Sequence, residues 1–345
     1  MNKPIGVGIV GLGMAVKPHA LALKDLAPGV RVVGGFSPSP ERRRSFAQSY
    51  GLPVVDSMEA LLDDASVNAI IILTPPRTHA ELALRAARAG KHVLLEKPMD
   101  VTYAEANALV QGVAATGKRL GVVFQFRFRP GALVLRKLMD EGALGDLLSV
   151  SASVRWWRAA QYYSEPGRGT LVRDGGGVLL TQAIHTLDLM LSLAGPVTRV
   201  AAQCRTSALR PSSMDTEDIA CAVLNFRNGA VGVIDATTAA YPGYPERIEF
   251  SGTKGSAVLE AERLILNVHG APTQTIEGSM VGGGGADPMA FSHEPHKKLI
   301  EDFLDAIASN RDPYVSGRSA LPVHALIDAA LHSSRVDAWV DAKAP

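Results

Sequence analysis

The sequence has few cysteines, no excess of charge of one sign and no long uninterrupted apolar run. Only two cysteines, Cys204 and Cys221, occur among 345 residues, which excludes a disulfide framework and favours a reducing, cytoplasmic environment. The formal net charge of +1 argues against nucleic acid or an acidic membrane as the main partner. No window reaches the ~20 apolar residues that a membrane span needs. We therefore expect no nucleic-acid partner and no membrane partner.

The amino terminus has some features of a signal peptide, because Lys3 precedes an apolar run that extends to Val16. Pro4 and several glycines interrupt this run, so we expect no cleaved leader. The chain length and a hydrophobic content of 47% suffice for two domains with cores of their own. The pattern changes at residues 125–130, which predicts a dinucleotide-binding domain at 1–124 and a substrate-binding and oligomerisation domain at 125–345.

Apolar strand patterns alternate with helical patterns over the first ~120 residues, and this alternation predicts a doubly wound parallel sheet of the Rossmann type. The first strand runs into a glycine turn at residues 11–16. Gly11 permits a tight turn, Gly13 lets the backbone approach a pyrophosphate, and Met14 with Ala15 opens a helix. The third fingerprint position is Val16 instead of Gly or Ala, so a plain strand–turn–helix remains the alternative.

The end of the second strand bears on the choice of cofactor. NAD-binding folds often place Asp or Glu there, whereas this chain has Ser37 and Ser39 followed by Arg42. These side chains could surround a 2′-phosphate, which slightly favours NADP over NAD. A Ser/Pro turn beside a solvated basic helix face is the alternative.

The third strand ends at Thr74-Pro75-Pro76, where the prolines cannot continue a ladder. Thr78 and Glu81 have capping-box spacing at the start of the next helix. The predicted cofactor-binding set comprises Gly11, Gly13, Met14, Ala15, Ser37, Ser39, Arg42, Thr74, Pro75, Pro76, His79, Glu96 and Lys97.

The fourth strand ends at Glu96-Lys97-Pro98, which we expect at the carboxyl edge of the sheet, where open α/β folds bind ligands. A lysine there can polarise a substrate oxygen or lose its charge through desolvation. A surface lysine at a strand corner is the alternative.

The second half of the chain predicts a large, open, mostly antiparallel sheet. Alternation at 147–157 and in several runs between 201 and 252, with Asn228-Gly229 as a hairpin turn, carries this prediction. An unpaired face of such a sheet suits a homodimer or homotetramer. The glycine-rich residues 278–285 predict a loop.

Aromatic and arginine side chains cluster after the strand at 147–157. Trp157, Tyr163 and Arg168 suit a polyhydroxylated ring, because aromatic faces stack on its CH groups and guanidinium groups bind its hydroxyls. An aromatic sheet edge with solvated arginines is the alternative.

A helix starting near Val178 would place Thr181, His185 and Asp188 on one face. His185 is a candidate general base, with core packing as the alternative. At residues 293–296 two histidines invite a metal interpretation. We expect no metal there, because Pro295 argues against the regular helix that a zinc motif needs.

Together these motifs make the chain resemble the glucose-fructose oxidoreductase/inositol dehydrogenase/rhizopine catabolism (Gfo/Idh/MocA) family. The resemblance implies a Rossmann domain, an α/β domain with an open sheet, and a nicotinamide-dependent oxidoreductase of sugars or cyclic polyols. It also implies that His185 lies beside Lys97 and takes the substrate's hydroxyl proton. The motifs are Gly11-Leu12-Gly13 with His19, Thr74-Pro75-Pro76 with His79, residues 89–93, Glu96-Lys97-Pro98, Arg127-Phe128, residues 142–145, and residues 175–177 with His185 and Asp188.

One departure concerns Thr181, because many members of this family have Asp one turn before the histidine. A neutral hydroxyl supports a developing imidazolium less than a carboxylate does. The predicted catalytic residues are Lys97, His185 and Thr181, and the predicted substrate-binding residues are Lys97, Arg127, Trp157, Tyr163, Arg168, Gln182 and His185.

The sequence thus predicts an NAD(P)-dependent dehydrogenase of a secondary alcohol in a sugar, sugar acid or cyclic polyol. Two alternatives are an NAD-dependent glycosidase that uses transient oxidation and a reductase of the trans-dihydrodiol type. A non-catalytic, dinucleotide-responsive regulator is a third, and the joint presence of Lys97 and His185 counts against it.

Overall fold

The structure, a computed structural model, describes residues 4–278 and 292–342. Within them the chain forms two compact units, the first from 4–125 and 292–320 and the second from 126–278 and 321–342. Beyond Gly278, the loop predicted at 278–285 lies outside the described residues.

The helices and strands are numbered here in chain order. The helices are α1 (Val16–Asp25), α2 (Pro40–Tyr50), α3 (Met58–Leu62), α4 (His79–Arg88), α5 (Tyr103–Ala114), α6 (Pro130–Asp140), α7 (Leu171–Asp174), α8 (Ile184–Ala194), α9 (Glu294–Ala308) and α10 (Gly317–Val336). The strands are β1 (Ile5–Val10), β2 (Val30–Phe36), β3 (Ala69–Ile72), β4 (His92–Leu95), β5 (Leu120–Val122), β6 (Leu147–Arg155), β7 (Val197–Arg205), β8 (Ile219–Phe226), β9 (Val231–Thr237), β10 (Arg247–Gly252), β11 (Gly255–Glu260), β12 (Arg263–Val268), β13 (Gln274–Ile276) and β14 (Val340–Asp341).

The first unit contains a five-stranded parallel sheet with the order β2-β1-β3-β4-β5. Its central strands are apolar except for His92 at the start of β4, and every residue of β3 is buried, as expected for a sheet covered on both faces. The predicted doubly wound parallel sheet is confirmed. All five strands run in one direction, so their carboxyl ends share one edge, and β1, β3 and β4 are neighbours there.

The second unit contains a nine-stranded sheet with the order β13-β12-β11-β10-β6-β9-β8-β7-β14. Only β6 and β9 pair in parallel among its described neighbours, so the predicted mostly antiparallel sheet is confirmed. The hairpin turn predicted at Asn228-Gly229 joins β8 to β9, and Gly229 has a φ of 90°. Helices α6 and α8 pack on one face of this sheet. On its strands β8 and β9, Val223, Val231 and Val233 remain about half exposed.

The helix predicted from near Val178 is present, and its first turn, Leu179–Ala183, is π-helical before α8 begins. One local prediction is wrong. Pro295 does not prevent a helix, since it lies in the first turn of α9, where a missing N–H costs nothing. Helix α9 packs against α1 in the first unit.

One helical stretch of the described residues, Leu171–Ala194, is long and apolar enough to cross a membrane by length and composition alone. In its most apolar window 83% is buried inside the protein, as in the core helix of a globular domain.

Candidate functional site

The turn after β1 has the shape that a dinucleotide phosphate needs. Gly11 has a φ of 102°, and a Cβ there would lie 2.7 Å from the Leu73 carbonyl carbon, so only glycine fits. A Cβ on Gly13 would meet nothing within 4 Å, which leaves open space beside the backbone. Helix α1 has no acidic residue in its first turn. These residues therefore fit a pyrophosphate, which would lie against Gly13 at the positive end of α1.

The serines and arginines after β2 are partly used by the protein itself. Ser37 is buried, and the Ser39 hydroxyl caps α2 by accepting a hydrogen bond from the Arg42 backbone N–H (3.3 Å). The Arg43 guanidinium donates to the Ser37 carbonyl (2.7 Å) and to Asp56 (3.3 Å). The side chain of Arg42 is exposed, so of these two arginines it is the more accessible to a ligand.

His79 joins the loops that follow β3 and β4. Its Nε2 lies 2.7 Å from the Thr74 carbonyl and its Nδ1 lies 2.9 Å from the Pro98 carbonyl. Burial lowers the pKa of His79, and these two hydrogen bonds oppose that effect. His79 thus holds together the ends of two neighbouring strands at the edge that is expected to bind ligands.

The capping box predicted at Thr78 is wrong. The Thr78 hydroxyl donates to Thr74 Oγ1 (2.7 Å) and to the Pro75 carbonyl (2.8 Å), and its side chain makes no cap hydrogen bond to α4. A capping box does occur at the next helix of this unit, where Thr102 and Glu105 open α5.

Glu96 and Lys97 follow β4 at the carboxyl edge. Glu96 Oε1 lies 3.0 Å from Nε2 of His19, and Glu96 Oε2 accepts from the Lys97 backbone N–H (3.0 Å). Burial alone would raise the pKa of Glu96, but the hydrogen bond from His19 and the charges of His19, Lys97 and His296 bring it below its usual value. Lys97 is partly exposed, yet desolvation lowers the pKa of its amine and the Glu96 charge opposes this.

Two groups of imidazoles and carboxylates in the described residues are close enough to hold a cation, with all donor atoms within 4.8 Å of one another. The first is His19, Glu96 and His296, and the second is Asp25, His293 and Glu294. In the second group the His293 ring binds Asp25 at 2.7 Å on the surface. Both groups depend on α9, which sequence reasoning did not connect with the β1 and β4 motifs.

In the second unit, Arg127 and Asp188 form a buried ion pair. Arg127 Nε donates to Asp188 Oδ2 (2.7 Å) and its Nη2 donates to Oδ1 (2.5 Å). Such a two-bond pair fixes the guanidinium in one orientation. The predicted substrate residue Arg127 is therefore also bound to the helix that carries His185.

His185 is 8% exposed, and its ring stacks on Phe126 with the centroids 4.9 Å apart. The Arg129 guanidinium lies 3.2 Å from the centroid of the same Phe126 ring and pairs with Glu246 (2.6 Å). The imidazole is thus held by ring stacking on a rigid helix.

Thr181 and Gln182 lie in the π-helical turn. The Thr181 hydroxyl donates to the Gly177 carbonyl (2.6 Å) and is close to the Gln182 side-chain oxygen, while Gln182 Nε2 lies 3.4 Å from the Tyr162 hydroxyl. The π-helical turn interrupts the α-helical hydrogen-bond pattern before His185. That Thr181, His185 and Asp188 share one face of the helix stays a prediction.

Of the residues predicted after β6, Tyr163 and Arg168 both contact Tyr162 and form one group, to which Trp157 does not belong. Trp157 packs edge-on against Tyr241 (5.5 Å), and the Tyr163 hydroxyl bonds to Thr238 (2.9 Å). Arg168 lies over the Tyr162 ring (4.6 Å) and pairs with Glu165 (2.7 Å).

A cavity of about 60 Å³ lies between this group and the π-helical turn. Glu217, which sequence reasoning missed, also lines it. Burial raises the pKa of Glu217, and its carboxylate accepts from the Leu179 N–H (3.0 Å). The other polar side chains of the lining are Tyr162, Tyr163, Arg168, Asp174, Thr181, Gln182 and Thr216.

Two family models match this chain in sequence. Residues 5–124 match an oxidoreductase family with an NAD-binding Rossmann fold, and residues 132–258 match the GFO/IDH/MocA C-terminal domain.

Characterised relatives match over nearly the whole chain. Inositol 2-dehydrogenase of Rhizobium meliloti is 30% identical over 339 residues, covering 94% of this chain and 96% of the relative. Levoglucosan dehydrogenase of Pseudarthrobacter phenanthrenivorans is 29% identical over 382 residues, covering 98% of each.

Solved structures match the fold equally completely. A levoglucosan dehydrogenase in complex with NADH superposes with a TM-score of 0.88 at 28% identity, covering 99% of this chain and 100% of that one. The WlbA dehydrogenase of Bordetella pertussis, in complex with NADH and UDP-GlcNAcA, has a TM-score of 0.84 at 27% identity, covering 98% and 99%.

Proposed function

Because the chain belongs to the Gfo/Idh/MocA family of NAD-binding oxidoreductases, we propose that its substrate is a secondary alcohol of a sugar, sugar acid or cyclic polyol. The predicted family and enzyme class, a nicotinamide-dependent dehydrogenase of CH–OH groups, are confirmed. Relatives named for inositol, levoglucosan and D-apiose support the narrower substrate class.

The observation that carries the proposal is the position of Lys97. Its amine follows β4 at the edge of the sheet where β1 ends in the glycine turn, and desolvation brings its pKa below the usual range for lysine. We propose that this amine donates a hydrogen bond to the reacting oxygen and stabilises its charge as the carbonyl forms. Glu96 would orient Lys97 or the nicotinamide ribose.

We propose that His185 takes the hydroxyl proton of the same substrate. A histidine whose ring stacks on Phe126 is suited to this exchange, since an imidazole nitrogen can accept a proton and later return it. The nicotinamide, when bound, accepts the hydride from the ring carbon. Thr181 and Gln182 would position the substrate or the imidazole through their hydroxyl and amide groups.

For the cofactor, NAD binding agrees with the family and with the NADH in related structures. We propose in addition that NADP is accepted and slightly preferred. The support is the exposed Arg42 at the first turn of α2 and the absence of a carboxylate at the end of β2 in this described segment. A lower Km for NAD than for NADP, unchanged in an Arg42→Ala variant, would contradict this preference.

We also propose that the protein forms a homodimer or homotetramer through the open face of the nine-stranded sheet. The half-exposed Val223, Val231 and Val233 support this surface. Both cysteines are free thiols, which agrees with a cytoplasmic location. Sedimentation of the protein and of a Val233→Glu variant would test the assembly, because a monomeric wild type would contradict it.

A substrate panel tests the central proposal. Aldoses, inositols and uronic acids would be offered separately with NAD and with NADP, while nicotinamide absorbance is recorded. We expect reduction of the cofactor with at least one cyclic polyol, sugar or sugar acid. Cleavage of a glycoside without net change of absorbance would instead indicate the glycosidase. Reduction of the cofactor with an aromatic trans-dihydrodiol alone would indicate an enzyme of the trans-dihydrodiol type.

A further inference from the structure

The cavity of about 60 Å³ in the second unit has a buried floor and a partly exposed mouth. The floor is formed by buried residues, among them Val178, Thr216 and Glu217. Half-buried polar residues form the mouth, and these are Tyr162, Arg168, Asp174, Thr181 and Gln182. A cavity of this size holds about four water molecules, or a small substituent that displaces them.

The mouth of the cavity lies beside the helical stretch that carries His185. Thr181 and Gln182 precede His185 by one turn, which corresponds to about 4–6 Å along a helix axis. A comparable distance separates a ring carbon of a hexose from its exocyclic hydroxymethyl group. A substrate whose reacting carbon lies at His185 can therefore extend a substituent into this mouth.

The two tyrosines of the lining differ in the contacts of their hydroxyl groups. Tyr163 is 8% exposed, and its hydroxyl is bonded to Thr238 (2.9 Å). The Tyr162 hydroxyl accepts from Arg168 Nη1 (3.2 Å) and lies 3.4 Å from Gln182 Nε2, so it is located at the mouth. The Arg168 guanidinium (4.6 Å) and the Tyr163 ring (5.0 Å) pack against the Tyr162 ring. Of the two hydroxyls, that of Tyr162 is the one that a ligand in the mouth can reach.

Two carboxyl groups of the lining are held in place by backbone donors. Glu217 accepts from the Leu179 N–H (3.0 Å), and Asp174 accepts from the Gly169 N–H (2.7 Å). A carboxyl group can accept more than one hydrogen bond, so both groups keep acceptor capacity toward the cavity. Fixed polar groups of this kind give a binding site its specificity.

The charges around the cavity favour a neutral ligand. Among the described residues of the lining, Arg168 carries the one guanidinium, and it is already paired with Glu165 (2.7 Å). A carboxylate that entered the cavity would face Asp174 and Glu217 with no cation left to compensate it, which costs free energy. A hydroxyl group can instead donate to these carboxyl groups and accept from Tyr162.

We propose that this cavity receives the hydroxymethyl group of a neutral hexose, and that the Tyr162 hydroxyl is the specificity-determining contact. The inference rests on the proposed function, because it narrows the substrate of that same site from a sugar, sugar acid or cyclic polyol to a hexose. An inositol has no exocyclic carbon and leaves the cavity to water. A uronic acid places a carboxylate beside Asp174 and Glu217.

Two series of sugars that differ only in the substituent at C5 test the proposal. D-glucose, D-xylose and D-glucuronate carry a hydroxymethyl group, a hydrogen and a carboxylate there, and D-galactose, L-arabinose and D-galacturonate form the second series. The kcat/KM of the full chain would be measured for all six sugars and for myo-inositol, with NAD and with NADP. In at least one series we expect the kcat/KM of the hexose to exceed that of its pentose and of its uronate by about tenfold or more.

Variants of the two tyrosines separate binding from folding. Tyr162→Phe removes the hydroxyl at the mouth, so the hexose-to-pentose ratio of kcat/KM should fall about tenfold, since the pentose has no group for that contact. Tyr163→Phe removes the bond to Thr238, and we expect a lower melting temperature with the wild-type ratio. Glu217→Gln keeps an acceptor for the Leu179 N–H and should raise the uronate-to-hexose ratio.

Three results would overturn the inference and leave the proposed function intact. These are a hexose-to-pentose ratio near one in the wild type, a larger kcat/KM for myo-inositol or a uronate than for either hexose, and equal ratios in the two tyrosine variants. Circular dichroism checks folding. If Tyr162→Phe fails to fold, the wild-type series and Glu217→Gln decide.

Oxidation of none of these compounds or of the wider panel would instead contradict the proposed function. Titration calorimetry of the six sugars with the NADH-loaded protein then tests the cavity without turnover. We expect a hexose to bind about tenfold more tightly than its pentose, and equal affinities would refute the assignment of the cavity.

Discussion

One lysine precedes strand β4 and another follows it, and the two differ in their contacts. Lys91, just before the strand, is 7% exposed and donates to the carbonyls of Asp64 (2.8 Å) and Val67 (3.0 Å). Lys97, just after the strand, is partly exposed and follows the carboxylate of Glu96. The same residue type therefore serves the loop packing at the amino edge and a candidate reaction at the carboxyl edge.

Burial of a charged side chain alone therefore does not mark a functional site. In the second unit, Arg127–Asp188, Arg129–Glu246 and Arg210–Asp218 are buried pairs whose guanidinium groups cannot lose a proton. Such pairs fix a conformation. At the end of β4, an amine and imidazoles replace the guanidinium, and desolvation lowers the pKa of the Lys97 amine.

The largest expected effect concerns these two lysines. Lys97→Met removes the proposed donor to the reacting oxygen, so we expect kcat/KM to fall by about 10²- to 10⁴-fold while NADH still binds. Lys91→Met leaves two carbonyls without their donor, and we expect a lower melting temperature with kcat/KM nearly unchanged. Steady-state kinetics and thermal melts of both variants check this. Equal kinetic losses would break the comparison.

The buried pairs of the second unit offer the next largest effect. Asp188→Ala leaves the Arg127 guanidinium buried without its carboxylate, and we expect the free energy of unfolding to fall by about 3–5 kcal/mol. The exposed Arg155–Asp235 pair is the control, since Asp235→Ala should cost less than about 1 kcal/mol. Urea denaturation measures both. Similar losses would show that burial does not distinguish these pairs.

The next effect concerns the buried His324, whose burial should make the stability of the protein depend on pH. Burial lowers the pKa of His324, in α10, from its usual 6.5 to about 4. A depressed histidine pKa means that the unfolded chain binds the proton first, so its stabilising contribution is present above pH 6.5 and is lost as pH falls toward 4. The shift corresponds to about 3 kcal/mol.

We therefore expect the unfolding free energy to decline less steeply between pH 6.5 and 4 in a His324→Asn variant, whatever its absolute stability. His332→Asn, an exposed position of the same helix, should keep the wild-type slope. Denaturation at several pH values gives the unfolding free energy of the wild type and of both variants as a function of pH. Equal slopes for all three proteins would show that His324 does not contribute to this dependence.

The smallest effect separates two glycines of one turn. Gly13→Ala adds a methyl group that meets no atom of the protein, so we expect unchanged stability and an NADH Kd raised about tenfold, or about 1.4 kcal/mol. Gly11→Ala strains a φ of 102° and should lower the melting temperature. Fluorescence titration with NADH and thermal melts distinguish the two. An unchanged Kd for Gly13→Ala would place the phosphates elsewhere.

Much of the first sheet was predictable from sequence, because strands buried on both faces leave continuous apolar runs such as Ala69–Ile72. The ends of these runs also locate Gly13 and Lys97. The order of the nine-stranded sheet was not predictable in detail, since the parallel pairing of β6 with β9 joins strands far apart in sequence. Alternation of apolar residues specifies the face of a strand and not its neighbour.

The missed site residues share a physical reason. The π-helical turn at Leu179–Ala183 has no local sequence signal, so the sequence predicted an uninterrupted α-helix there. His296 is far from Glu96 in sequence, and only the packing of α9 on α1 brings it close. His19 was named only as part of the family motif that begins at Gly11, and its contact with Glu96 arises only in the folded chain.

The placement of α9 has a consequence for biosynthesis. Residues 292–320 belong to the same unit as the amino-terminal sheet, so α1 can pack against α9 only after these residues have been synthesised. Until then the face of α1 that packs on α9 stays uncovered while the second unit is synthesised.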